Sequence, residues 1–269
     1  MCPSNRSSSN ASKSSDPASP NEALSDAAPD TLIISDLHLQ VGRPDITDQF
    51  VDFLRRPARS AKRLLILGDL FEVWVGDDAA GAFEQQIAAE LARTAAAGVA
   101  VGFLAGNRDF LLGDEFCRAA GMTRLVEPVR LELAGTSCLL LHGDVLCTDD
   151  TEYQRFRARV RDPAWQRRQL ARPAWLRKAL ARVYRWVSRR RTRRAEPEIM
   201  DVNDQAVIDL FERSGVDRII HGHTHRPGVH RYRVGENTVE RMVLGDWFDH
   251  GSVIEVGNGS IELVKMPRP

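Results

Sequence analysis

Five short polar phrases punctuate the chain: Asp36-Leu37-His38, Gly68-Asp69, Gly106-Asn107-Arg108-Asp109, His142-Gly143-Asp144 and Gly222-His223-Thr224-His225. They offer imidazole, carboxylate and amide donors without a thiolate, a set that suits Mn²⁺, Fe or Zn²⁺ rather than Ca²⁺. Singly, each residue has a plainer use. Asp36 could cap a helix, Asn107 could sit in a turn, and His142 could be a hydrogen-bonded core histidine. Together, Asp36, His38, Asp69, Asn107, His142, His223 and His225 are too many for one tetrahedral ion and enough for two ions sharing a carboxylate. Asp69 is the natural bridge, because one carboxylate can give an oxygen to each ion. Ions roughly 3.5–4 Å apart can share a water, lower its pKa toward neutrality and hold phosphoryl oxygens for in-line attack. The chemistry that follows is hydrolysis of a phosphoester or pyrophosphate bond without a covalent enzyme intermediate.

Such residues need a rigid frame, and the apolar runs supply one. Strands are expected at 31–34, 64–67, 99–104 and 218–221, with a hairpin made of 129–133, Ala134-Gly135 and 136–141. Helical patterns fill 46–54, 82–97 and 207–212, and four further strands (230–234, 239–244, 252–256 and 261–264) make the C-terminal part β-rich. The class is α/β, with every polar phrase placed just beyond a strand, where loops of α/β sheets converge on ligands. In the Asp-x-His and His-x-His triplets, strand alternation would point both side chains the same way. Gly68, Gly106, Gly143 and Gly222 would let the backbone turn sharply around the cluster.

A chain of 269 residues with 43% apolar content can bury a sizeable core. Cys2, Cys117, Cys138 and Cys147 form no CxxC pair, which argues against a disulfide framework or a thiolate zinc site and suits a reducing compartment. No apolar stretch reaches membrane-span length. Residues 1–30, rich in Ser, Asn, Ala and Pro, read as a disordered tail, with the globular domain at 31–269. The zero net charge hides an asymmetry. Residues 151–194 hold fifteen arginines and Lys178 against only Glu152 and Asp162, so the rest of the chain is as acidic as this segment is basic. A basic segment on an acidic body points to contact with something anionic.

The ordered phrases resemble those of the calcineurin-like metallophosphoesterase superfamily over about residues 31–256. The resemblance implies a four-layer αββα sandwich with a helical, Arg-rich cap insertion at about 151–198. It also implies one metal held by Asp36, His38, Asp69 and His225 and the other by Asp69, Asn107, His142 and His223. Where most members have His after Gly-Asn, this chain has Arg108. Arg cannot serve as a general acid at neutral pH, but its planar fork clamps phosphate oxygens, which favours a pyrophosphate substrate with a good leaving group.

Longer phrases are similar to the UDP-2,3-diacylglucosamine diphosphatase family of lipid A biosynthesis: Leu67-Gly-Asp-Leu-Phe-Glu72, Gly76-Asp-Asp78, Leu146-Cys-Thr-Asp-Asp150, Ile199-Met-Asp-Val-Asn203, Ile220-His-Gly-His-Thr-His-Arg-Pro227 and Leu244-Gly-Asp-Trp247. That similarity implies water attack on the α-phosphorus, giving UMP and 2,3-diacylglucosamine 1-phosphate, with two Mn²⁺ ions (other divalent transition metals being possible). It implies a peripheral location on the cytoplasmic face of the inner membrane. Asp69, Arg108 and His223 become the catalytic set, and Asn107, Arg108, Asp150, Ser188 and His223 the substrate-facing set. Asp150 could equally be a helix cap, and residues 189–195 depart from the family pattern.

The insertion can be read on its own residues. Leu176, Leu180, Val183 and Val187 share one helical face, with Trp175 and Tyr184 beside it and arginines around the rest, while Pro163 and Pro173 mark helix starts. A solvated structural cap, a nucleic-acid grip and a membrane-surface element all fit this pattern. With a diacylated substrate, an acyl-receiving cap that docks at the anionic bilayer is the expectation, with no nucleic acid bound. The alternative is another dinuclear metallophosphoesterase, a nuclease or protein phosphatase, gripping a polyanion through the insertion.

Overall fold

The computed structural model describes residues 12–18, 29–192 and 201–266, without side-chain detail for 12–18 and 186–192. The strands are β1 (Ser12–Ala18), β2 (Thr31–Ile34), β3 (Arg63–Ile66), β4 (Ala100–Phe103), β5 (Met122–Arg124), β6 (Val129–Leu133), β7 (Thr136–Leu140), β8 (Arg218–His221), β9 (Gly228–Val234), β10 (Asn237–Val243), β11 (Gly251–Gly257) and β12 (Ser260–Met266). The helices are α1 (Pro44–Arg55), α2 (Pro57–Ser60), α3 (Ala82–Ala96), α4 (Asp114–Ala119), α5 (Thr151–Val160), α6 (Pro163–Leu170), α7 (Ala174–Thr192) and α8 (Asp204–Ser214).

Two six-stranded sheets form, in the orders β12-β11-β2-β3-β4-β5 and β1-β9-β10-β8-β7-β6. Alternation along each strand builds the layers. Ile33 and Leu65 of the first sheet meet Cys138, Leu140, Ile220 and Met242 of the second in one buried cluster. Their neighbours Leu32, Ile34, Leu64 and Ile66 point the other way, onto Phe50 and Phe53 of α1 and Ile87 and Leu91 of α3. On the far face of the second sheet, Leu139 and Ile219 pack against Val207, Ile208 and Phe211 of α8. The result is the four-layer αββα sandwich. Each fully buried aliphatic or aromatic side chain contributes roughly 1.5–3 kcal/mol, so the inter-sheet layer alone is a substantial clamp.

Local signals start α1 and α8 two to three residues before the apolar patterns at 46–54 and 207–212, and α6 at Pro163 as expected. Pro44 opens α1, Asp162 caps α6 ahead of Pro163, and the Asn203 side chain accepts the N–H of Ala206 at the start of α8. The insertion becomes three consecutive helices, α5 to α7. Within 1–30, read from composition as a disordered tail, Ser12–Ala18 instead lies antiparallel to β9, with a register break between Ser14 and Ala18, while 1–11 and 19–28 lie outside the described residues. The unpaired backbone of an edge strand templates such an addition whatever the side chains, which composition alone does not reveal.

No described helix is long and apolar enough to cross a membrane. Cys117, Cys138 and Cys147 are buried free thiols.

Candidate metal centre

Neighbouring strands β2, β3 and β4 run parallel in one sheet, and β7, β8 and β10 in the other. The loops beyond their C-terminal ends meet at the seam between the sheets, and all seven candidate ligands converge there. His38 Nε2 lies 3.1 Å from His225 Nε2, which is 3.5 Å from Asp36 Oδ1. On the other side, Asn107 Oδ1 is 2.8 Å from His142 Nε2 and 3.0 Å from His223 Nδ1. Asp69 stands between the groups, with Oδ2 3.8 Å from His38 Nε2 and Oδ1 3.8 Å from His142 Nε2. Two sets of donor atoms are tight enough to surround a cation: Asp36, His38 and His225, and Asp36, Asp69 and His142.

Strand alternation does not produce this convergence, contrary to the expectation from the triplets. Asp36, His38, Asp69, His223 and His225 all have positive φ, between 52° and 69°. They lie beyond the strand ends, in the left-handed region that non-glycine residues rarely adopt. Each turn of this kind swings a ligand inward, and such strain persists where packing over-determines it. Gly222 shows how tightly: a Cβ there would sit 2.1 Å from Asp36 Oδ2 and 2.2 Å from Ser35 Oγ.

A second layer of groups fixes the donors. Ser35 Oγ and the His223 N–H both donate to Asp36 Oδ2, at 2.6 and 2.8 Å. Asp36 Oδ1 is left buried without a hydrogen-bond donor, an arrangement that a cation would satisfy. His142 Nδ1 donates to the Leu67 carbonyl at 2.8 Å, His38 Nδ1 faces Glu72 Oε2 at 3.1 Å, and His225 Nδ1 faces Asp246 Oδ2 at 3.0 Å. Each contact turns the opposite ring nitrogen into the cluster, as outer-shell partners of metal-bound histidines do. The residues present therefore fit a divalent-ion site.

Fully buried Asp109 accepts the N–H groups of Asp69, Leu70 and Gly106, tying the β3 and β4 loops together. Its burial and the Asp69 charge raise its pKa to about 6. Glu72, Asp109 and Asp246 were given no role from the sequence, although Asp109 ends the polar phrase 106–109. Glu72 and Asp246 do end or occupy two of the family-like phrases, 67–72 and 244–247, which was the available signal.

Charge is unevenly shared among the histidines. Burial alone would depress His142 and His225, but carboxylates outweigh it. Asp69 and Asp36 push His142 up to about 9, and Asp246 and Asp36 push His225 up to about 10. Burial and the neighbouring His142 charge take His223 down to about 4.

The substrate-facing candidates fall into place unevenly. Arg108 donates its backbone N–H to Asp69 Oδ1 at 2.8 Å, and its half-buried side chain lies near Glu72. Burial would raise Glu72, but His38, Arg108 and Arg185 draw it down to about 2. Asp150 caps α5 by accepting the Tyr153 N–H at 2.9 Å. Ser188 lies on α7, but its side chain is outside the described residues, as are those of Val187 and 189–195.

The insertion sits against the cluster. The Tyr153 ring stacks near His223, with centroids 6.0 Å apart, and Phe156 stacks on Tyr184 at 4.5 Å. Several arginines expected to face an anionic partner turn inward instead. Arg157 pairs with Asp144 and Glu127, Arg161 donates to the carbonyls of Ala105 and Gly106, Arg177 pairs with Asp78, and Arg185 pairs with Glu72. The acidic body answers part of the insertion's charge itself, because buried carboxylates at the sheet ends are costly without cations beside them.

A family model for calcineurin-like phosphoesterases matches residues 30–227. Curated relatives along nearly the whole chain carry one name, UDP-2,3-diacylglucosamine hydrolase. The protein from Xanthomonas oryzae pv. oryzae (strain PXO99A) is 46% identical over 242 residues, 87% of this chain and 97% of that protein. The one from Klebsiella pneumoniae is 47% identical over 237 residues, 88% of this chain and 99% of its own length. That from Azotobacter vinelandii is 47% identical over 247 residues, 88% and 98% of the two chains. With its fold and its ligand loops in the same order, the chain belongs to the calcineurin-like phosphoesterases, and within them to the group of the UDP-2,3-diacylglucosamine hydrolases.

Proposed function

We propose that this protein hydrolyses the pyrophosphate bond of UDP-2,3-diacylglucosamine, giving UMP and 2,3-diacylglucosamine 1-phosphate, with two divalent ions, Mn²⁺ for preference. The observation that carries this reading is Asp69 set between two groups of donors, in a chain about 46% identical to hydrolases of that name. Asp36, His38, Asp69 and His225 would hold one ion, and Asp69, Asn107, His142 and His223 the other. When bound, such a pair supplies an activated water and charge to offset the phosphoryl oxygens.

The chain's own groups supply the rest. Arg108, beside Asp69, clamps the phosphate whose charge grows during cleavage. Asn107 and His223 position the phosphoryl group, and Asp150 and Ser188 face the sugar or nucleotide. The group that leaves on attack at the α-phosphorus, 2,3-diacylglucosamine 1-phosphate, departs as a stable phosphate and needs no protonation, which agrees with Arg in place of a histidine acid. Helices α5 to α7 form a cap whose apolar residues receive the acyl chains. Exposed Trp175, Leu180 and Val183 and the arginine-rich end of α7 rest on the anionic cytoplasmic face of the inner membrane.

The test is to incubate purified protein with Mn²⁺ and UDP-2,3-diacylglucosamine in ¹⁸O-water. Labelled UMP is expected, because attack on the α-phosphorus leaves the solvent oxygen there. Label in the sugar phosphate would place attack on the β-phosphorus, and no UMP at all would overturn the substrate assignment.

A further inference from the structure

Three arginines of the insertion end directly behind the ligand loops, one behind each of three ligands. Arg185 of α7 reaches Glu72 Oε1 at 2.6 Å, and the other oxygen of that carboxylate faces His38 Nδ1 at 3.1 Å. Arg157 of α5 holds Glu127 Oε2 at 2.8 Å, while Glu127 Oε1 accepts the backbone N–H of His142 at 2.8 Å. Arg161 donates to the carbonyl of Gly106, immediately before Asn107, at 3.1 Å. Each bridges from the insertion to the body, Arg157 and Arg185 from within α5 and α7 and Arg161 from the C-cap of α5.

We propose that Arg185, Arg157 and Arg161 are positioning residues of the metal centre, so that docking of the insertion and loading of the ions are thermodynamically coupled. The inference rests on the metal assignment above. Glu72 orients the His38 ring only while its own position is fixed, and Arg185 fixes it from α7. Arg157, through Glu127, does the same for the backbone that carries His142. Outer-shell partners of this kind typically change metal affinity by about 10- to 100-fold. Coupling of binding is reciprocal: if the docked insertion tightens the ions, the ions must tighten the docked insertion.

The two chains of contact end on different ions, and this gives the test its selectivity. Equilibrium dialysis of the full-length protein against Mn²⁺ alone, with metal analysis, reads both affinities. Arg185→Met should weaken one ion about tenfold or more, and Arg157→Met the other. In a His38→Ala background, Arg185→Met should add nothing while Arg157→Met still weakens the remaining ion. In a His142→Ala background the pattern should reverse. Arg185→Lys should recover part of the affinity. If Arg157→Met does not fold, Arg161→Met, which loses two hydrogen bonds to carbonyls and only a 3.9 Å ion pair with Asp144, replaces it. As the reciprocal measurement, hydrogen exchange in α5 to α7 should slow when Mn²⁺ is added to the wild type, and the effect should shrink in Glu72→Gln. Two tightly bound ions with unchanged affinities in Arg185→Met and Arg157→Met would overturn the coupling. A wild-type chain that binds no Mn²⁺ would instead overturn the metal assignment beneath it.

Discussion

His142 shows most plainly how the residues set the chemistry. Both of its ring nitrogens face oxygens at 2.8 Å, Leu67 O and Asn107 Oδ1, and the nearby carboxylates hold its pKa up to about 9. His225, at about 10, is in the same condition. Before an ion binds, both rings therefore carry a proton near pH 7.5, and an ion can coordinate only the neutral ring. Loading the centre at that pH should release about two protons per chain, one from each ring. Calorimetry of Mn²⁺ binding in buffers of different ionisation enthalpy measures this directly, and heats independent of buffer would contradict it. Arg108 carries a second prediction. If it clamps growing charge, Arg108→Ala should lower kcat by roughly ten- to a thousandfold with a smaller rise in KM, and Arg108→Lys should recover little. Steady-state kinetics on the lipid substrate decide it, since a rise in KM alone would make Arg108 a plain binding residue. At this scale the seven residues that converge were legible as candidates, because imidazoles and carboxylates beside glycine are conspicuous after apolar runs. The roles of Glu72, Asp109 and Asp246 were not, even though all three stand in the quoted phrases, since a carboxylate on a loop looks like any solvated acid until its hydrogen-bond partners are known.

Among the elements, the strands with continuous apolar runs were the easiest to read. β2 and β8 match their expected bounds, and the 129–133/136–141 hairpin forms as β6 and β7 around Ala134-Gly135. Short pieces left no pattern to find: α2 has four residues, α4 six, and β5 three with only Met122 buried. Pairing was not legible either, since nothing in β10 alone announces that it runs parallel to β8 and antiparallel to β9. Helix α7 keeps an unusual outer surface, with Trp175 70% and Val183 62% exposed. Exposed apolar groups rimmed by arginine mark a contact surface rather than a solvated one. Leu180→Asp and Val183→Asp should therefore impair hydrolysis of the diacylated substrate several-fold while cleavage of a soluble, non-acylated phosphodiester survives. Equal losses on both substrates would assign these residues to folding of the insertion instead.

For the whole molecule, charge is the organising quantity. The arginine-rich segment is partly neutralised by acids at the sheet ends, through Arg157, Arg161, Arg177 and Arg185. Arg167, Arg168 and Arg172 stay exposed, and the sequence adds five more arginines at 189–194 whose side chains lie outside the described residues. A basic residue near an anionic bilayer contributes about 1 kcal/mol. Replacing Arg189, Arg190, Arg191, Arg193 and Arg194 with Gln should visibly reduce co-sedimentation with anionic vesicles and leave neutral vesicles unaffected. Unchanged sedimentation would confine the membrane contact to other residues. The two sheets must also close on each other before any ion can bind, because Asp36, Asp69 and Asn107 come from one sheet and His142, His223 and His225 from the other. The left-handed backbone at five of the candidate ligands then has a consequence for durability. Each such turn costs a non-glycine residue about 1–2 kcal/mol, so function is maintained against the fold's own preference. In the metal-free protein, His38→Gly should melt no lower than His38→Ala, a reversal of the usual order of those two residues. A clearly lower melting temperature for the glycine variant would show that the turn is relaxed. If the order does reverse, this active site is a place where a sturdier chain is always one inactivating change away, and selection for turnover is what keeps the turns bent.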